Sequence, residues 1–456
     1  MTNLKPKLST LFMAVAVMTV SLAAVAQTPA PAPSSSAPAT AAPAAADQTP
    51  ASAPAAPAAT PVWSVGSVDL SGYLDGYYSY NKNRPSDQLN DLYNFDDATD
   101  QFNLEAAKLT LNHDPDPVGA HLDILFGRTN VLIHGNSAAE GTTDNYIEQA
   151  YLSIKPPKAK GFELDFGQFT TSAGQEVVET MNNWSYSHGL LFSWAIPYYH
   201  FGIRTSMPVT KIWTVGFQLV NGWNDVFTNN GGVTVGLTSG LVKPKYTWNV
   251  NYYTGPQNTG IEPPDYLGTQ KGYRNLIDTT LLLTPNAKFN WYVNYDYGQN
   301  DVPAVKAVPS IDQPAVKHWS PHWQGVAASA REQISANGAL VGRVEYFADQ
   351  GYALMGYFAG YACNYSIAST CSVPSGPVRE DVKEFTGTYE YKWAAGLLMR
   401  AEYRYDWSNQ AIFTYGNANY APPGSSEGYY ALYDPLKVKS QSTLTLGLIA
   451  FFGPKR

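Results

Sequence analysis

The sequence predicts an all-β fold, a transmembrane antiparallel β-barrel of sixteen strands. Three observations carry that reading: apolar and polar residues alternate with period two, short and long connections alternate along the chain, and an export leader precedes a chain poor in charge and rich in tyrosine. The 456 residues include 29 basic and 37 acidic side chains, a formal net charge of −8. Charged residues make up 14%, against about 25% in ordinary soluble domains. Nucleic-acid binding is excluded, because no surplus of Lys and Arg exists to neutralise phosphates. Two cysteines cannot build a disulfide scaffold or a thiolate zinc centre. Past the leader no apolar run of about 18 residues occurs, so the chain is not a helical membrane protein.

The leader comes first. Lys5 and Lys7 form a positive region, 8–20 is an apolar run, and Ala24-Val25-Ala26 is a small-residue cleavage site, so 1–26 reads as a signal peptide. Residues 27–62 are nearly all Ala, Pro, Ser and Thr. They cannot bury a core and read as a solvated linker, either a periplasmic spacer or a plain tether. Residues 63–456 then form the barrel.

The strands follow from the pattern. Trp248, Val250 and Tyr252 alternate with Thr247, Asn249 and Asn251, and Trp291, Val293 and Tyr295 with Asn290, Tyr292 and Asn294. Leu397, Met399, Ala401, Tyr403 and Tyr405 alternate with Arg400, Glu402, Arg404 and Asp406. Leu444, Leu446, Leu448 and Ala450 alternate with Thr443, Thr445 and Gly447. Such alternation gives each strand one apolar and one polar face. Seven short connections rich in Pro, Gly, Asn or Lys fall at 114–117, 155–161, 208–211, 243–245, 284–287, 335–338 and 392–396. Eight long ones fall at 81–99, 134–145, 170–198, 224–232, 255–272, 298–321, 348–381 and 407–438. Together they link sixteen strands with both termini on the short-turn side, the asymmetry of an outer-membrane barrel. Closure follows physically, because an unpaired backbone group in lipid costs several kcal/mol.

One resemblance rests on particular residues. The segments Asn182-Asn183-Trp184-Ser185-Tyr186-Ser187-His188-Gly189-Leu190-Leu191-Phe192, Pro197-Tyr198-Tyr199-His200-Phe201-Gly202-Ile203-Arg204, Leu219-Val220-Asn221-Gly222-Trp223-Asn224 and Gly72-Tyr73-Leu74-Asp75-Gly76-Tyr77-Tyr78-Ser79-Tyr80-Asn81 resemble, in order and spacing, the OmpL-like β-barrel porin family of bacterial outer membranes. The resemblance covers nearly all of the chain after the linker. It implies a passive outer-membrane channel and no shared catalytic residues. One departure stands out: Phe451 and Phe452 are followed by Gly453-Pro454-Lys455-Arg456, whereas such barrels commonly end on an aromatic residue.

In a pore the chemistry is electrostatic filtering. Charges facing lipid at mid-depth cost about 2–4 kcal/mol for Lys or Arg, so Glu163, Asp165, Arg204, Asp278, Asp296, Arg343, Glu345, Glu384, Glu390, Arg400, Glu402, Arg404 and Asp406 are expected to face the lumen. They either set ion preference or form a salt-bridge lattice that stiffens the wall, and the two roles are compatible. The third long loop, 170–198, is too apolar to wave in water. It is expected to fold into the lumen as a constriction and to present Glu176 and Glu179 to inward arginines such as Arg204; packing over the rim or against a neighbouring subunit is the alternative.

Cys363 and Cys371, in the long loop 348–381, are expected to form a disulfide in an oxidising compartment. His318 and His322 have chelating spacing, but Pro321 disfavours a helix there, and Asp114-Pro115-Asp116-Pro117 reads as a turn. No metal, cofactor or enzymatic motif is expected. The expected function is that of an outer-membrane porin passing small hydrophilic solutes or ions, with outer-membrane lipid as surroundings and a homotrimer as the assembly suggested by analogy. The rivals are a plugged structural or adhesive barrel and an outer-membrane hydrolase. The net charge hints at cation preference.

Overall fold

The computed structural model describes residues 64–65, 67–134, 146–228, 231–256, 272–301, 320–350, 379–394, 396–416 and 436–453. The signal peptide, the whole linker, His318, and Cys363 and Cys371 lie outside the described residues.

Sixteen antiparallel strands form the barrel: β1 Val68–Asn81, β2 Gln101–His113, β3 Val118–Phe126, β4 Ile147–Ile154, β5 Glu163–Thr170, β6 Tyr199–Pro208, β7 Trp213–Val220, β8 Thr234–Lys243, β9 Tyr246–Pro256, β10 Tyr273–Leu283, β11 Phe289–Asn300, β12 His322–Gln333, β13 Gly338–Gln350, β14 Arg379–Ala394, β15 Leu397–Ser408 and β16 Ser440–Phe452. Each pairs with its sequence neighbours, and β16 pairs with β1 from Thr443↔Asn81 to Phe452↔Gly72, which closes the sheet. Closure leaves no edge to satisfy in lipid. Outside the wall, Ser64–Val65 pairs with the start of β1, and Phe413–Tyr415 pairs with Leu436–Val438 in the last long connection. Helix α1 spans Arg128–His134 and helix α2 Leu190–Trp194.

All seven turns and eight long loops expected from the sequence separate the strands, with ends displaced by three residues at most, except that the second long loop begins at 127 and not 134, because its strand stops at Phe126 and a helix follows. The faces are sorted the reverse of a water-soluble core. On β16, Leu444, Leu446 and Leu448 are each more than half exposed, while Thr443 and Thr445 are 2% and 5% exposed. On β15, Tyr403 and Tyr405 face out while Arg400, Glu402, Arg404 and Asp406 are buried. A wall that shows Leu, Val, Phe and Tyr outward and charges inward suits hydrocarbon outside and a polar lumen inside. The buried apolar cluster lies within the barrel. It gathers Leu92 and Phe95 of the first loop, Tyr186, Leu190, Leu191 and Phe192 of the third, and inward residues such as Leu276, Trp323 and Phe347.

Candidate functional site

The lumen and the segment inserted into it are the candidate site. Residues 171–198 leave β5, cross the interior and return at β6. Near the start, Asn251 on β9 donates through Nδ2 to the Ser172 carbonyl at 2.8 Å, and the Gln175 amide donates to Asn294 Oδ1 on β11 at 3.1 Å. Trp184 then packs on Tyr292, with ring centroids 5.1 Å apart. Tyr186 reaches the far wall, where its hydroxyl donates to Asp75 on β1 at 2.8 Å.

Between these ends, the charged residues of β13 and β15 hold the segment by its backbone. Arg400 donates from Nη1 to the Thr180 and Ser185 carbonyls at 2.6 and 3.0 Å, and from Nη2 to the Asn183 carbonyl. Glu402 accepts the Tyr186 and Ser187 amides at 2.6 and 3.0 Å. Arg343 donates to the Ser187 carbonyl at 2.6 Å, and Arg404 to the His188 carbonyl at 2.7 Å. Glu345 accepts the amides of Leu190 and Leu191, which begin α2 and have no intrahelical partner. The approach is so close that a Cβ on Gly189 would overlap the Glu345 carboxylate and displace it from this seat. A charged acceptor or donor makes each such bond about twice as strong as a neutral one.

Within the segment, Glu176 pairs with Arg343 at 2.6 Å and accepts the Gly189 amide at 2.7 Å. Burial raises the Glu176 carboxyl, but Arg343 outweighs it and holds the group below the usual glutamate range. His188 donates from Nε2 to the Val177 carbonyl at 2.9 Å, which leaves Nδ1 without a proton, 3.8 Å from Asp96. Its ring lies between Phe95 and Phe192, with centroids 4.5 and 4.8 Å away. Burial lowers the His188 pKa, against the pull of Glu176, so the ring is neutral at pH 7.

One expected pairing is corrected. Arg204 does not meet Glu176 or Glu179. It pairs with Asp165 at 2.8 Å, its direct neighbour in the β5–β6 register, and lies over the Phe169 and Tyr151 rings. Glu179 instead meets Lys108 on β2 at 2.5 Å, and Glu163 pairs with Lys155 at the turn end. Reasoning from sequence missed Lys108, whose ammonium also lies 2.7 Å from both Asp123 and Glu148. Those three carboxylates converge closely enough to hold a metal ion, but the protein's own lysine stands among them. The inward turn of the first loop was missed as well, although its run of Leu89, Leu92, Tyr93 and Phe95 is the kind of apolar loop that does not stay in water.

Among the described residues, sixteen carboxylates and six lysines or arginines are buried. Every one of the six cations has a carboxylate partner. Asp75, Glu105, Asp278, Asp296, Glu380 and Glu402 have no lysine or arginine within 4 Å among the described residues. Asp278 and Asp296 face each other across the β10–β11 pair, bridged by the Asn294 amide group at 3.0 and 3.3 Å.

The family described as "Putative beta-barrel porin-2, OmpL-like" matches residues 67–452, the whole barrel. The chain belongs to this family. It is an outer-membrane protein of the porin class, and its barrel follows that of solved porins. OmpT of Vibrio cholerae, folded in vitro, superposes with a TM-score of 0.51 at 14% identity, over 86% of this chain and 100% of that one. The anion-selective porin of Comamonas acidovorans gives a TM-score of 0.51 at 10% identity, over 85% of this chain and 99% of that one. At such identities the likeness is one of fold. No curated protein matches the sequence.

Proposed function

We propose that this porin passes small hydrophilic solutes and ions by passive diffusion through its lumen, that 171–198 constricts the passage, and that cations pass in preference to anions. The observation that carries the proposal is the inner wall. It is polar and closed on itself, and its buried carboxylates outnumber its buried cations fourteen to six among the described strand residues. A sixteen-stranded barrel is wide enough to hold an aqueous channel. In a low-dielectric enclosure, an excess of carboxylates raises the local concentration of cations. The residues expected to filter solutes, Glu163, Asp165, Glu176, Glu179, Arg204, Arg343, Glu345, Arg400, Glu402 and Arg404, divide the work in this reading. Those on β13 and β15 position the constriction, while Glu163, Asp165 and Arg204 line the polar space between the segment and β5–β8, along with Gln218 and Thr238. The homotrimer belongs to the same proposal, and the mass of the purified barrel in detergent tests it.

A second reading has an observation of its own. The packing of Leu190, Phe192 and Phe95 inside the barrel is what a plugged, structural or adhesive barrel needs. Single-channel recording of the refolded chain from residue 27 separates the two. Stepwise openings, with a reversal potential of cation-selective sign in a salt gradient, are expected. Openings with the anionic sign overturn the cation preference alone. A silent bilayer, with folding shown by heat-modifiable gel mobility, overturns the porin reading and leaves the plugged barrel.

A further inference from the structure

The turn end of the barrel carries its own charge pattern. Across four adjacent turns, from β4–β5 to β10–β11, stand seven lysines and one carboxylate. Lys155 pairs with that carboxylate, Glu163, at 2.9 Å. The other six, Lys158, Lys160, Lys211, Lys243, Lys245 and Lys288, are exposed and have no acidic partner within 4 Å among the described residues. The lumen holds an excess of carboxylates, so this arc has the opposite sign to the interior it borders. Function as a cation filter gives no reason for a positive rim.

The location of the arc indicates its partner. Each lysine lies within a few residues of a strand end, next to exposed apolar side chains of the outer face: Ile154, Val209, Ile212, Trp213, Trp248 and Phe289. Tryptophan and phenylalanine at such a level mark the boundary between hydrocarbon and headgroups. The short turns of this barrel are periplasmic, so that boundary belongs to the inner leaflet. We propose that the arc from β4–β5 to β10–β11 binds the phosphate headgroups of anionic phospholipids in the periplasmic leaflet. Six unmatched ammonium groups set over a continuous apolar rim complement a lipid that has its own negative headgroup and acyl chains. A free phosphate would use only the charge and leave the rim without purpose. The arc spans about half the circumference, so it orders a crescent of such lipids on one side of the barrel.

The test uses the full-length barrel in detergent micelles doped with equal mole fractions of phosphatidylglycerol and phosphatidylethanolamine, with retained lipid counted by native mass spectrometry. We expect phosphatidylglycerol to be retained at least about fivefold over phosphatidylethanolamine, the factor one near-surface lysine is worth at an anionic leaflet. The variant K158Q/K160Q/K211Q/K243Q/K245Q/K288Q should fall to parity. Replacing the same six by arginine should keep the preference, and so should K82Q/K383Q at the opposite end. Heat-modifiable mobility confirms that each variant is folded. Equal retention of the two lipids by the parent, or an undiminished preference in the glutamine variant, overturns the proposal. So does a glutamine variant that loses sedimentation with isolated peptidoglycan while its lipid preference is unchanged, since the arc would then be a cell-wall contact.

Discussion

Replacing Arg400 by methionine should release the inserted segment without opening the barrel. The guanidinium donates to three loop carbonyls, those of Thr180, Asn183 and Ser185, and to Glu390 on the neighbouring strand. Hydrogen bonds to charged groups contribute about 1.5–3 kcal/mol each, but three donated by one side chain are not additive. Removing one partner from a buried charged set costs about 3–5 kcal/mol. Here the lower half of that range applies to the wall, because Glu390 keeps Arg331 at 2.8 Å. The loss therefore falls mainly on the segment, and about 3 kcal/mol corresponds to roughly a hundredfold larger released population. Chymotrypsin reads it directly, since Trp184, Tyr186 and Phe192 are buried in the parent and are its preferred sites once free. Cleavage mapped within 171–198 by mass spectrometry should accelerate roughly a hundredfold in R400M, with heat-modifiable mobility unchanged until cutting begins. A rate within about threefold of the parent, in a folded barrel, would refute the idea that β15 anchors the segment.

Three further outcomes follow from the same geometry. A Cβ at Gly447 would overlap the Tyr186 ring, so G447A should cost about 1–3 kcal/mol of segment docking and raise chymotryptic cutting while the barrel stays intact. The neutral, buried His188 must take up a proton when released in acid. Burial holds its pKa in the docked state below that of a free imidazole, so docking should weaken as pH falls below about 6.5. H188Q should show a flatter dependence between pH 7.5 and 5.5, and an equally steep one would remove His188 from the account. Leu446, which is 53% exposed on the outer face of β16, should tolerate methionine. L446R should cost about 2–4 kcal/mol in a bilayer, measurable by urea titration of the refolded barrel in vesicles.

The wall was legible in the sequence because a strand's two faces need only a period of two, and because a barrel's turns and loops differ so much in length. β15 and β16 could be read residue by residue, with the charges assigned inward and Leu397, Tyr403, Tyr405, Leu444, Leu446 and Leu448 outward. β2 could not. A bulge opposite Asp75 and Gly76 leaves Glu105 unpaired in the register and flips the phase, so that both Glu105 and Lys108 point inward. Strict alternation cannot place both, and the Lys108 cluster went unseen. The partners of Arg343, Arg400 and Arg404 were hidden for another reason. They are backbone carbonyls, which every residue has, so no side-chain pattern identifies them. The Arg204–Asp165 pair needed the register of β5 against β6, which only the folded sheet supplies.

The segment 171–198 lies early in the chain, yet its seat is built late. The Tyr186 and Ser187 amides wait for Glu402, and the His188 carbonyl waits for Arg404, 216 positions further on. Tyr186 also reaches Asp75 on the first strand and packs over Gly447 on the last. The seat is complete only when β16 meets β1. Until the segment docks, Trp184, Leu190, Leu191 and Phe192 stay uncovered, the kind of sticky surface that chaperones and proteases recognise. The same residues that pack inside the finished barrel thus report whether the segment has found its seat.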